Sequence, residues 1–153
     1  TTPYVHGALD YVKSIGAKTA LMACNPVHVE AADIFILLET GAEVLPGSTR
    51  LKAGTATKLA LNQITTGVMA RCGQIYEGYM VGVKAVNVKL RERTIRITSE
   101  VLKISNAEAE VALDAAGGDI KIAKLMHDRG LDITEAQRRL EQTGGHLREA
   151  LAL

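Results

Sequence analysis

Ile34-Phe-Ile-Leu-Leu38, followed two residues later by Gly41-Ala-Glu-Val-Leu-Pro-Gly-Ser-Thr-Arg-Leu-Lys-Ala-Gly-Thr-Ala-Thr-Lys58, is the stretch on which the fold turns. An unbroken apolar run, then turn-forming residues, then a helical pattern from Lys52 to about Cys72 (Leu59, Leu61, Ile64, Val68, Met69) reads as strand, loop and helix. Hydrophobicity that is continuous rather than alternating predicts a parallel strand covered on both faces. Upstream, Lys18-Thr-Ala-Leu-Met-Ala-Cys24, closed by Asn25-Pro26, has the same character and predicts a second strand. Before it, Thr1-Thr2-Pro3 offers a hydroxyl cap and a first-turn proline. Tyr4, Val5, Ala8, Leu9, Val12 and Ile15 then recur at helical spacing until Gly16.

Two strands and one preceding helix do not complete a sheet whose faces both need cover. The expectation is an α/β fold of which this is the C-terminal part, the other strands lying in a longer parent chain or a partner. Downstream, a connecting segment over 73–82 leads to a helix from about Asn87 to Lys103. Its charged positions (Lys89, Arg91, Glu92, Arg93, Arg96, Glu100) interleave with apolar ones.

The tail contains a repeat. Ser105, Glu108, Ala109, Leu113, Gly117-Gly118, Ile120 and Ala123 recur 27 residues later as Asp132, Glu135, Ala136, Leu140, Gly144-Gly145, Leu147 and Ala150. Ser105/Glu108 and Asp132/Glu135 have capping-box spacing, and each Gly-Gly pair suits a left-handed helix termination. The unit predicted is helix, Gly-Gly turn, helix, used twice with Gly130 between, giving a small four-helix appendage. The organisation expected is thus a partial α/β domain over 1–83, a connecting helix over 84–104 and an all-α domain over 105–153.

Composition narrows the function. At 47% apolar and 23% charged, the chain has material for a core. A net charge of +1, 3% aromatics and no Trp argue against a nucleic-acid surface, whether basic or base-stacking. Cys24 and Cys72 do not form a disulfide framework or a zinc pattern, and His6, His28, His127 and His146 show no ligand spacing, so no metal is expected. No apolar run is long enough for a bilayer span and no secretory leader is visible, so a cytoplasmic location is expected.

From Leu45 to Tyr76 there is no acidic residue, while Ser48, Thr49, Arg50, Lys52, Thr55 and Lys58 cluster around Gly47 and Gly54. Glycines permit close backbone approach, helix-start amides face an anion, and a guanidinium grips phosphate through two hydrogen bonds. The residue types fit a phosphate or other small-anion site, or a capped helix start with solvated cations. They do not form a P-loop.

Glu43-Val-Leu-Pro-Gly-Ser-Thr-Arg-Leu-Lys-Ala-Gly-Thr-Ala-Thr-Lys-Leu59, followed by Asn62, closely resembles the signature of the N-acetylmuramic acid 6-phosphate etherases. Thr2-Pro-Tyr-Val5, Cys24-Asn-Pro26, Thr65-Thr-Gly67, Met80-Val81, Asn87-x-Lys-Leu90 and Arg93 agree, and the Gly-Gly tail is similar to that family's C-terminal helical domain. Gly82 and Val86 depart from its usual Asp and hydroxyl residue. More broadly, Gly41-x-Glu43 leading to Ser48-Thr49 is similar to sugar-isomerase (SIS) domains, which bind phosphosugars on a flavodoxin-like parallel sheet.

The resemblance implies a lyase that cleaves the D-lactyl ether of N-acetylmuramic acid 6-phosphate to N-acetylglucosamine 6-phosphate and D-lactate, in amino-sugar recycling. It uses two glutamates, without metal or organic cofactor, in a homodimer with the sugar site near the subunit interface. Both glutamates precede the position matching Thr1, so the resemblance implies the last half of an etherase, inactive without its N-terminal half. It implies substrate contacts from Thr1 or Thr2, Ser48, Thr49 and Arg50, with Ser48 on the sugar and Arg50 clamping phosphate or carboxylate. Lys52 and Lys58 are expected to be solvated or structural. Glu43 is expected to organise the loop by accepting its backbone N–H groups. An alternative, on the similarity to glucokinase regulatory protein, is a non-catalytic phosphosugar sensor. The tail also looks like ubiquitin-associated folds, a likeness taken as architectural.

Overall fold

The computed structural model describes residues 2–27, 32–83, 85 and 87–153. Thr1, His28 and Val86, named above, lie outside them. The chain is α/β and divides into two compact units, Thr1–Thr65 and Thr66–Leu153.

The first unit opens with α1 (Pro3–Ser14). Pro3 occupies the first turn as expected, but Thr2, the N-cap residue, makes no side-chain capping bond. Its carbonyl accepts from Val5 N at 2.9 Å instead. Gly16, at φ +78°, lets the chain leave the helix. Strands β1 (Ala20–Ala23) and β2 (Ile34–Leu37) pair in parallel, Ala20 opposite Ile34 and Ala23 opposite Leu37. Asp33 fixes that register: its Oδ2 accepts from the Thr19 amide and hydroxyl, both at 2.8 Å, and Thr19 Oγ1 accepts from Asp33 N at 3.0 Å. These bonds hold the Asp33 carboxyl below its ordinary pKa.

The predicted cover on both faces is absent from the described structure, because the sheet has only two strands. Ile34 and Phe35 are 57% and 43% exposed. Helix α2 (Lys52–Arg71) runs past the boundary between the units and buries none of its residues, leaving Leu59, Leu61, Ile64, Val68 and Met69 exposed.

The second unit begins, after α2, with a hairpin where only a connector was expected. Strands β3 (Ile75–Tyr76) and β4 (Tyr79–Met80) pair antiparallel. Glu77 (φ +49°) and Gly78 (φ +83°) form the two-residue link, both left-handed as a type I′ turn requires. Helix α3 (Val88–Leu102) is capped by Asn87, whose Oδ1 accepts from Leu90 N at 2.9 Å, and ends at left-handed Lys103.

The repeat folds as read, into α4 (Asn106–Ala115), α5 (Ile120–Arg129), α6 (Ile133–Gln142) and α7 (Leu147–Ala152). The Ser105/Glu108 capping box is complete. In the second copy only half forms: Asp132 accepts from Glu135 N at 2.8 Å, while the Glu135 carboxylate turns to Arg138. All four glycines of the two Gly-Gly pairs have positive φ.

One core unites these helices, with Val81, Ile97, Val101, Leu113, Ile120, Leu125, Leu140 and Leu147 among its buried members. Lys121, 7% exposed, spends its ammonium on backbone: Nζ donates to Gly145 O at 3.0 Å and Gly73 O at 3.4 Å. Gly73 is needed beside that turn, since a Cβ there would stand 2.8 Å from Gly145 O. Among the described residues no helix is long and apolar enough to cross a membrane.

Candidate functional site

Leu45-Pro46-Gly47-Ser48 is a tight turn. Pro46 presets the first central position, Gly47 supplies φ +85° at the second, and Ser48 N donates to Leu45 O at 3.0 Å. The chain then winds directly into α2, with Leu51 N on Ser48 O at 3.2 Å and Gly54 N on Thr49 O at 2.9 Å. Ser48 is thereby half-buried, and Thr49 and Arg50 exposed, immediately before the helix.

Glu43 braces this arrangement. Its Oε2 accepts from Lys52 N at 2.9 Å and its Oε1 from Ala53 N at 3.0 Å. Those bonds, Ala53 first and then Lys52, hold its carboxyl below the ordinary 4.5. A carboxylate so committed is a poor proton acceptor, and the expected organising role is what the geometry gives.

This brace changes how an anion can be held. Lys52 and Ala53 give their N–H groups to Glu43, Gly54 gives its own to Thr49 O, and Thr55 donates to Leu51 O at 3.0 Å. The first amides of α2 are therefore spent, contrary to their expected part in anion binding. Side chains remain. Among the described residues, Ser48 Oγ, Thr49 Oγ1, the Arg50 guanidinium, Lys52 Nζ, Thr55 Oγ1 and Lys58 Nζ have no hydrogen-bond or ion-pair partner.

Arg50, Leu51, Lys52, Thr55, Ala56 and Leu59 line a shallow hollow at the start of α2. The structure thus brings Arg50 together with Lys52 and Thr55 on one surface, while Ser48 and Thr49 sit on the turn beside it. Thr55 was read only as one hydroxyl of a cluster; one turn beyond Leu51, it lines the same hollow as Arg50. Thr2 is exposed at the start of α1, and no hydrogen bond joins it to the 47–50 turn. Cys24 lies behind the helix start, its Sγ 3.6 Å from both Ala53 O and Thr57 Oγ1. Among the described residues there is no group of three or more His, Cys, Asp or Glu side chains placed to hold a metal ion.

No family model matches the chain. Curated relatives do. A protein of Synechocystis sp. named N-acetylmuramic acid 6-phosphate etherase is 48% identical over 153 residues, covering 99% of this chain and 50% of the relative. One of the same name from Serratia proteamaculans is 47% identical over 152 residues, covering 98% and 51%. N-acetylmuramic acid 6-phosphate etherase 2 of Vibrio parahaemolyticus is 50% identical over 152 residues, again covering 98% and 51%. The chain spans about half the length of the curated relatives it matches, and nearly all of it is homologous to part of proteins named N-acetylmuramic acid 6-phosphate etherase.

Proposed function

We propose that this chain is the C-terminal half of an N-acetylmuramic acid 6-phosphate etherase, contributing the phosphosugar-binding turn of a flavodoxin-like SIS domain and the helical region that follows it. Identity near 48% along almost the whole chain supports the assignment. The single observation that carries the site is the turn before α2. Ser48, Thr49 and Arg50 present two hydroxyls and a guanidinium with no hydrogen-bond or ion-pair partner among the described residues, just before helix-start amides already taken by Glu43. Arg50 grips a phosphate or carboxylate through paired N–H donors, and Ser48 and Thr49 fix sugar or phosphate oxygens. Thr2 or Thr1 contributes a further hydroxyl.

The reaction is an elimination and rehydration on the open-chain sugar. A base takes the proton from the carbon acidified by the neighbouring aldehyde, the adjacent C–O bond to lactate breaks, and an acid protonates the departing oxygen. Water then adds across the double bond. Glu43 is committed to its two backbone bonds, and the etherase resemblance supports two glutamates of the remaining half as the acid and base. The intact protein works as a cytoplasmic homodimer.

Lactate release from N-acetylmuramic acid 6-phosphate tests this reading. The chain alone should give none, and the chain joined to the N-terminal half of the Synechocystis relative should turn over. Turnover by the chain alone, or an inactive joined protein that folds and dimerises, would overturn it.

A further inference from the structure

Helix α4 has two apolar faces. Ala109 and Leu113 enter the core, whereas Ala107, Val111 and Ala115, at i, i+4 and i+8, stand on the outside, with Val111 70% exposed. With Ile104 and Ala112, and with Glu108 and His127 as its polar members, that outer face lines a groove of about 520 Å³. The polar members are already committed. Glu108 accepts from Ser105 N at 2.9 Å and Ser105 Oγ at 2.7 Å, and His127 Nδ1 lies 2.8 Å from Asp128 Oδ1. What the groove offers a partner is apolar surface.

The internal repeat supplies a control. Displaced by 27 residues, the core positions keep their character, as Ala136 and Leu140 of α6. The outer positions do not: Ala107, Val111 and Ala115 correspond to Thr134, Arg138 and Gln142, all exposed. One scaffold thus carries a polar outer face in one copy and an apolar one in the other. Contact with solvent accounts for the polar face. In stacked helical repeats, polar outer faces cap the array, and an outer face that stays apolar is one that a neighbour covers.

We propose that the α4 groove is the docking site of an apolar segment from the N-terminal half of the etherase, which rests on the proposed function for the existence of that half. About half of each matched relative lies outside this chain, so the cover has a source in the same polypeptide. Val111 is the anchor, and the small side chains of Ala107 and Ala115 let a neighbouring backbone come close on either side of it.

Methyl relaxation by a soluble gadolinium chelate tests this, measured on the chain alone and on the chain joined to its N-terminal half. The Val111 methyls should relax rapidly in the chain alone and severalfold more slowly in the joined protein, while the Thr134 methyl stays accessible in both. Val111→Arg should leave the melting temperature of the chain alone unchanged, because the position is exposed, and lower that of the joined protein by about 3 °C or more. Val111 equally accessible in both proteins overturns the docking, and lactate release by that joined protein leaves the proposed function standing. A sheltered Val111 in a joined protein that releases no lactate supports the docking and counts against the proposed function. Shelter that appears in the chain alone as its concentration rises overturns the N-terminal half as occupant, in favour of a second copy.

Discussion

The two units use their apolar residues in opposite ways. In Thr66–Leu153, leucines, isoleucines, valines and alanines from α3 to α7 meet in one core, and its largest members (Leu113, Ile120, Leu125) are almost wholly sealed from water. In Thr1–Thr65, Leu9 is the one buried apolar residue among those described, while β2 and the part of α2 that lies in this unit carry large apolar side chains (Ile34, Phe35, Leu59, Leu61, Ile64) into solvent. A helix apolar on most sides is shaped for the interior of a larger body. The helical unit is therefore complete in itself. The α/β unit, which carries the candidate site, has faces built for cover that its own residues do not supply, as expected of the etherase half proposed above.

The largest test of this contrast is core truncation. Leu113→Ala should cost about 2–5 kcal/mol in urea unfolding, whereas Leu61→Ala on exposed α2 should change stability by less than about 0.5 kcal/mol. Joined to its N-terminal half, the protein should lose about 2–5 kcal/mol from Leu61→Ala as well, if that half buries α2. An unchanged Leu61→Ala in the joined protein would break the comparison.

Helix caps sharpen it on a smaller scale. Ser105→Ala removes half of a closed capping box and should cost about 1 kcal/mol. Thr2→Ala removes a hydroxyl that caps nothing and should leave the melting temperature where it was.

The smallest effect is the titration of the brace. The Glu43 pKa in the folded chain lies below 4.5, so its contribution is complete above that pH and is lost as pH falls through the lowered value. The Lys52 and Ala53 amide resonances should move together, with a midpoint below 4.5. A midpoint at or above the ordinary value would mean that the two bonds do not form.

Local chemistry was the part of the fold legible in the sequence. The Gly-Gly repeat, the Ser105 cap and the parallel pairing of the two apolar runs follow from residue type and period, and each formed. The hairpin at 75–80 was overlooked because its strands are two residues each, too short for any period. Glu77-Gly78 between Ile-Tyr and Tyr-Met was the available signal. At the site, the clustering of Ser48, Thr49 and Arg50 between a strand and a helix could be read from the order of apolar run, turn residues and helical pattern, and from the run without acids. The competition for the helix-start amides was legible in part: the resemblance gave Glu43 the backbone N–H groups of the loop, while residue type alone left the same donors to an external anion. The path of the chain, which brings Glu43 within 3.0 Å of them, decides between the two.

Lactate release by the joined protein carrying either Ser48→Ala or Glu43→Gln tests the central claim most directly. Ser48→Ala should lower kcat/KM by about tenfold or more through lost substrate contact. Glu43→Gln, which keeps an acceptor for one α2 amide, should retain most of the rate with an unshifted pH profile. A Glu43→Gln protein that folds but is inactive, beside an unimpaired Ser48→Ala, would contradict the account.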